Sequence, residues 1–200
     1  MRMWALAASA ILLLGMMTLK AQRPFREYPG VEYNDFPLPD DYAKPSEWVF
    51  ARLMYPPDPY SRNRGFGFGG GMDWKHGYSI WTQDYPRADR HFNLAVRRLT
   101  RIDSRSVEQP VDLDDDDDVF NWPWLYAVQV GRWKLTDSQA AKLREYLDRG
   151  GFFMVDDFWG SDDWEVFERS IRKVYADRPM DDLPRNDQIL HTVFDLSDLY

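Results

Sequence analysis

The chain has 200 residues, 44% of them hydrophobic and 16% aromatic, which is enough to build one domain around a packed core and is not the composition of a disordered segment. Its formal charge of −8 argues against nucleic acid as a partner, because a phosphate backbone needs a basic face. There is no cysteine, so disulfides, thiolate metal sites and cysteine nucleophiles are all excluded.

The first 21 residues read as an export signal. Arg2 precedes an apolar run from Met3 to Leu19, and Lys20-Ala21 closes it, so cleavage is expected after Ala21. The alternative is an uncleaved anchor, since the run is close to the shortest that spans a bilayer. The protein is therefore expected outside the cytoplasm, periplasmic or extracellular, with membrane contact only if the segment is retained. Residues 22–46, rich in Pro, Tyr, Asp and Phe and without periodicity, are expected to form an extended arm. The domain proper is placed at residues 47–200.

A first strand is expected over Glu47–Tyr55, closed by Pro56-Pro57, followed by a long loop with the cluster Gly65-Phe66-Gly67-Phe68-Gly69-Gly70-Gly71. Those glycines match a dinucleotide fingerprint by letter but not by context. No strand stands just before them and no helix opens after them, so they read as an aromatic-glycine loop. Pro86 suits a first helical turn, and Phe92, Ala95 and Leu99 supply a helical stripe to about Arg101. Ser106-Val107-Glu108 is a candidate short strand. The acidic run Asp112–Asp118 lacks the alternating ligands, turn glycine and terminal glutamate of a calcium loop and reads as a solvated connector.

Leu125–Val130 is a buried strand. Thr136 with Gln139 makes a capping box for a helix whose stripe is Ala140, Leu143 and Leu147, ended by Gly150. Gly151–Val155 is a strand without polar alternation, as expected where both faces are covered. Ser161 can cap a helix with Trp164, Phe167, Ile171 and Val174 on one side, and a last apolar run follows near Ile189–Phe194. Alternation of strands and helices predicts a three-layer α/β domain with a mostly parallel sheet.

Asp156-Asp157 stands at the carboxyl end of a buried strand, where open parallel sheets place ligands. The pair could hold a divalent cation or share a proton, with His191 as a third ligand or base; alternatively one carboxylate caps the next helix and the other is solvated. His76 and His91 carry no comparable context. Among the tryptophans, Trp122, Trp124 and Trp159 are candidates for stacking a sugar or peptide at strand ends.

Several separate motifs carry a family resemblance: Trp81-Thr82-x-Asp84-Tyr85-Pro86-x-Ala88-Asp89, Arg97-Arg98-Leu99-Thr100, Asn121-Trp122-Pro123-Trp124-Leu125-Tyr126, Leu147-x-x-Gly150-Gly151-Phe152-Phe153 with Asp156-Asp157, and Asp177-Arg178-Pro179. From about Trp48 onward the chain resembles an exported bacterial family known as domain of unknown function 4159. The resemblance implies the class I glutamine amidotransferase-like, flavodoxin-type architecture and no established activity. Enzymes of that architecture carry a cysteine at a strand-to-helix elbow, whereas the corresponding turn here reads Val155-Asp156-Asp157-Phe158-Trp159-Gly160-Ser161. Glutamine hydrolysis by that route is excluded. Relatives continue past the equivalent of Tyr200, so a C-terminally truncated domain is expected.

Two functions follow as expectations. One is a non-catalytic binding or scaffold module of the cell envelope, without a cofactor, that recognises a protein or glycan through the aromatic rim. The other is a metal-assisted hydrolase built on Asp156, Asp157 and His191.

Overall fold

The structure is a computed structural model and describes residues 23–33, 36–59, 73–192 and 194–196. The export segment and the Gly65–Gly71 cluster lie outside the described residues. Four strands, β1 (Ala51–Met54), β2 (Gln109–Asp112), β3 (Trp124–Val128) and β4 (Phe152–Asp156), form one sheet in the order β2-β1-β3-β4, with every pairing parallel. Three helices flank it: α1 (Arg87–Leu99), α2 (Asp137–Asp148) and α3 (Gly160–Val174). This is the three-layer α/β arrangement, in the strand order of doubly wound sheets of the flavodoxin type.

Pleat alternation divides the side chains between two layers. Leu53, Val111 and Leu125 lie on one face, buried in a core with Trp133, Leu143 and Phe167, while Phe153 and Val155 of β4 on the same face are half-buried. Trp133 stacks on Phe153 of β4 and on Phe167 of α3, at 6.1 and 5.9 Å between centroids, which places α3 on this side. α2 packs beside it. The α2 capping box forms as the sequence indicates: Thr136 Oγ1 accepts from the Gln139 N–H at 3.2 Å, and Gln139 Oε1 accepts from the Thr136 N–H at 3.1 Å.

On the opposite face α1 departs from its expected orientation. Its buried residues are Asp89, Arg90 and Asn93, while Phe92 is 40% and Leu99 84% exposed. The reason lies in the strands beneath it. β1 carries Arg52 inward, whose Nε donates to Asp89 at 2.6 Å and whose Nη2 meets the other carboxylate oxygen. Glu108, before β2, accepts from Arg90 Nε at 3.1 Å. Charge complementarity, not apolar periodicity, sets the helix rotation.

The strand expected at Ser106–Glu108 lies three residues later, as β2. Ser106 instead binds Asp41 of the arm, and Glu108 enters the buried ionic cluster. Pro110 is tolerated because β2 is an edge strand. β1 is shorter than the Glu47–Tyr55 run, with Trp48 making only an isolated bridge to Ser104. The α3 cap is not Ser161. Trp159 is the N-cap residue, and Asp163 Oδ2 accepts its backbone N–H at 2.9 Å.

The arm is fastened to the domain. Arg90 Nη2 donates to Glu27 at 2.6 Å and Nη1 to the carbonyls of Phe36 and Pro37, both at 3.2 Å. Tyr28 N–H donates to the Tyr85 hydroxyl at 3.1 Å, and Arg97 binds Asp41 at 3.0 Å. Arg90 thus holds Glu108 with one nitrogen and the arm with the others.

Candidate functional site

In an open parallel sheet the natural ligand crevice lies at the carboxyl ends of the strands where the winding reverses, here between β1 and β3. That mouth is stitched shut. The Tyr55 hydroxyl, fully buried, donates to the Val128 carbonyl at 2.5 Å. Asp58 N–H donates to the Arg132 carbonyl at 2.7 Å and Lys134 N–H to the Pro56 carbonyl at 2.9 Å, tying the two strand exits together.

The carboxyl edge opens instead between β3 and β4. Each strand ends in a left-handed residue that is not glycine: Gln129 at φ 54° after β3 and Asp157 at φ 55° after β4. Such conformations cost about 1–3 kcal/mol and persist only where surrounding contacts hold them. The contacts are mutual. Gln129 N–H donates to the Asp156 carbonyl at 3.0 Å, and its carboxamide donates to the Asp157 carboxylate. Asp157 N–H donates to Asp156 Oδ1 at 2.7 Å. Gly131 lets the turn after β3 lie directly against α3, since a Cβ there would stand 2.3 Å from Asp163 Cβ.

Above this edge stands Trp159, 75% exposed. Its indole N–H donates to Asp157 Oδ1 at 2.7 Å, and its backbone N–H is held by Asp163. An exposed ring is thereby fixed in orientation. Asp156 is also exposed, and Tyr126 approaches its Oδ2 at 3.5 Å. Burial, opposed by the Arg52 guanidinium, raises the Tyr126 pKa and keeps its hydroxyl protonated as a donor. The edge therefore offers one aromatic face, two carboxylates and a carboxamide.

Other expected site residues lie elsewhere. Trp122 is 1% exposed, with its indole N–H on Asp118 at 3.3 Å, so its ring belongs to the core and has no face for a ligand. Trp124 begins β3 and so lies at the amino edge, stacked on Phe152 with 4.9 Å between centroids. His191 sits in a 3-10 turn with Nδ1 2.7 Å from Asp195 and Nε2 2.8 Å from the Arg185 carbonyl. The Arg185 carbonyl is the largest cause of its raised pKa, with Asp195 adding to it. Both ring nitrogens are engaged with acceptors of their own segment, Asp195 and the Arg185 carbonyl. Among the described residues no group of three or more His, Asp or Glu side chains is placed to hold a metal ion.

The acidic run is less solvated than its composition suggests. Asp112 and Asp114 share Lys75 Nζ at 3.0 and 3.3 Å, Asp117 meets Lys142 at 3.2 Å, Asp115 pairs with Arg23, and Asp118 is buried. Most of its carboxylates are held in structural contacts, while Asp116 is 90% exposed. The sequence does not flag Gln129; its only signal is a polar side chain interrupting the apolar run Leu125–Val130.

Residues 73–200, well over half of the chain, match the family model of a domain of unknown function, DUF4159. The chain belongs to the DUF4159 family. The matched DUF4159 region begins after β1 and includes both left-handed turns and Trp159. No curated protein matches the sequence.

Proposed function

We propose that the protein is an exported, non-catalytic binding module of amidotransferase-like architecture that takes a glycan on the β3–β4 carboxyl edge. The observation that carries this reading is Trp159, whose exposed ring is held by Asp157 and Asp163. An indole face stacks on the apolar face of a sugar ring, and neighbouring carboxylates and amides exchange hydrogen bonds with its hydroxyls. What supports the non-catalytic reading is the strand-to-helix turn after β4, Val155-Asp156-Asp157-Phe158-Trp159-Gly160-Ser161, which holds no cysteine where enzymes of the amidotransferase-like architecture carry theirs.

Binding is tested by titrating the protein with N-acetylglucosamine and glucose oligomers while following tryptophan fluorescence and heat. Trp159→Ala is expected to weaken the affinity about tenfold or more. Absence of binding to any oligomer, or an affinity unchanged by Trp159→Ala, rejects the glycan reading. Export rests on the Met3–Leu19 run between Arg2 and Lys20. Expression with the complete N-terminus is expected to give an extracytoplasmic product starting at Gln22, as read by intact mass. A product retaining Met1 inside the cell contradicts export.

A further inference from the structure

The hydrogen bonds of the Trp159 edge leave one strong acceptor unspent. Asp157 Oδ1 takes the Trp159 indole N–H at 2.7 Å, and its other oxygen takes the Gln129 carboxamide. Asp156 Oδ1 takes the Asp157 backbone N–H at 2.7 Å. Asp156 Oδ2 is approached by the Tyr126 hydroxyl at 3.5 Å, beyond the usual reach of a hydroxyl donor, about 2.5–3.0 Å. Asp156 is exposed, so this oxygen has lone pairs open to a ligand.

The edge is also negative with no cation set against it. Among the described residues neither Asp156 nor Asp157 is in an ion pair. From Gly150 to Glu168 the chain carries Asp156, Asp157, Asp162, Asp163, Glu165 and Glu168 and neither Lys nor Arg. The Arg52 guanidinium, 5.1 Å from the centre of the Tyr126 ring, is buried and bound to Asp89.

The indole and the open oxygen are tied to one residue, because Asp157 holds the indole with its carboxylate and Asp156 with its N–H. A pyranose stacked on an indole lays its apolar face on the ring, and its equatorial substituents project sideways past the edge of the indole. A substituent that leaves over the Nε1 edge meets these carboxylates. A hydroxyl or an acetamide N–H brings a donor without charge, and the carboxylate of a uronic acid is repelled. An ammonium brings three donors together with the complementary charge.

We propose that the sugar selected by this edge is a hexosamine with a free amino group, its ring on Trp159 and its ammonium on Asp156. The inference names the ligand class of the glycan reading and rests on that reading. The presented indole marks where the sugar lies, and the unpaired carboxylate sets its charge.

The test compares tetramers of glucosamine, N-acetylglucosamine and glucose by calorimetric titration of the full chain. Low salt and about pH 6 keep the carboxylates ionised and the amino sugar cationic. The glucosamine tetramer is expected to bind at least tenfold more tightly than the other two, with the ratio shrinking as salt is raised. Asp156→Asn keeps an oxygen for the Asp157 N–H but removes the charge, and is expected to bring the ratio close to one; unchanged circular dichroism confirms folding. Trp159→Ala is expected to weaken the glucosamine tetramer at least tenfold. Equal affinities for the three tetramers, each weakened by Trp159→Ala, overturn the amino-sugar inference and leave the glycan reading standing. A preference that survives Asp156→Asn or high salt overturns it as well. Tetralysine binding as tightly as the glucosamine tetramer overturns it and assigns the edge to basic peptides. No binding of any tetramer overturns both the inference and the glycan reading.

Discussion

Replacing Asp89 with alanine is expected to destabilise the fold by about 3–5 kcal/mol, the largest effect of any polar substitution in the molecule. Arg52 is 1% exposed and Asp89 fully buried. Burial alone would pull the Arg52 pKa down, but the Asp89 charge and hydrogen bonds more than offset this, so the guanidinium stays charged. Arg52 also donates to the carbonyls of Trp81 and Gln83 at 3.0 and 3.3 Å, which fastens the segment before α1 onto β1. Without Asp89 the cation remains buried and unmatched. The double substitution Arg52→Met, Asp89→Leu removes both charges at once and is expected to cost far less than Asp89→Ala, because apolar replacement of a buried pair is often neutral. Urea denaturation of both variants measures the difference. A cost for Asp89→Ala below about 1 kcal/mol, as for a surface pair, would mean that Arg52 reaches water and that the ionic layer does not orient α1.

That layer also explains which parts of the fold were legible in the sequence. α2 and β3 were readable because local chemistry and burial agree: Thr136 and Gln139 cap the helix, and Leu143 and Leu125 are fully buried. β4 is a strand, as its apolar run indicates, but it is not covered on both faces: Phe152 is 44% exposed and Phe153, Met154 and Val155 are half-buried. α1 was readable as a helix but not in its rotation. Periodicity scores apolarity, and Phe92, Ala95 and Leu99 are periodic, yet what turns the helix inward is Asp89 toward Arg52 and Arg90 toward Glu108. The warning was Arg52 itself, a charge within the apolar run Trp48–Tyr55. β2 lies three residues beyond Ser106–Glu108 for a related reason. Asp112 looks like the start of an acidic loop until Lys75, 37 positions earlier, neutralises it at the strand end.

The candidate site divides along the same line. Asp156 and Asp157 were visible because position at a strand's carboxyl end is a topological property that sequence order carries. Gln129 was not, because its role depends on a left-handed turn brought beside another by parallel pairing of β3 with β4. Trp122 and Trp159 could not be told apart by residue type. Only the core around Asp118 and the open edge above Asp157 distinguish a packed indole from a presented one.

Glu108 gives the ionic layer a pH dependence opposite to that of most carboxylates. It is fully buried, one oxygen bonds Arg90, and the other has no hydrogen-bond partner. Desolvation, reinforced by the charge of Asp89 and opposed by Arg90, pushes its pKa up from 4.5 to about 7. The unfolded chain therefore releases this proton first, and the folded chain binds more protons between those two values. The stabilisation is fully present below about pH 4.5 and is lost as pH rises through about 7. Denaturation midpoints are accordingly expected to fall between pH 5 and pH 8. Glu108→Gln, which keeps the shape and cannot ionise, is expected to flatten that fall and to be more stable than the parent chain at pH 8. A parent profile that rises over this interval, or an unchanged slope in Glu108→Gln, would show that Glu108 is held ionised by Arg90 throughout. The Arg90 contacts with Glu27, Phe36 and Pro37 would then act on a permanently charged layer.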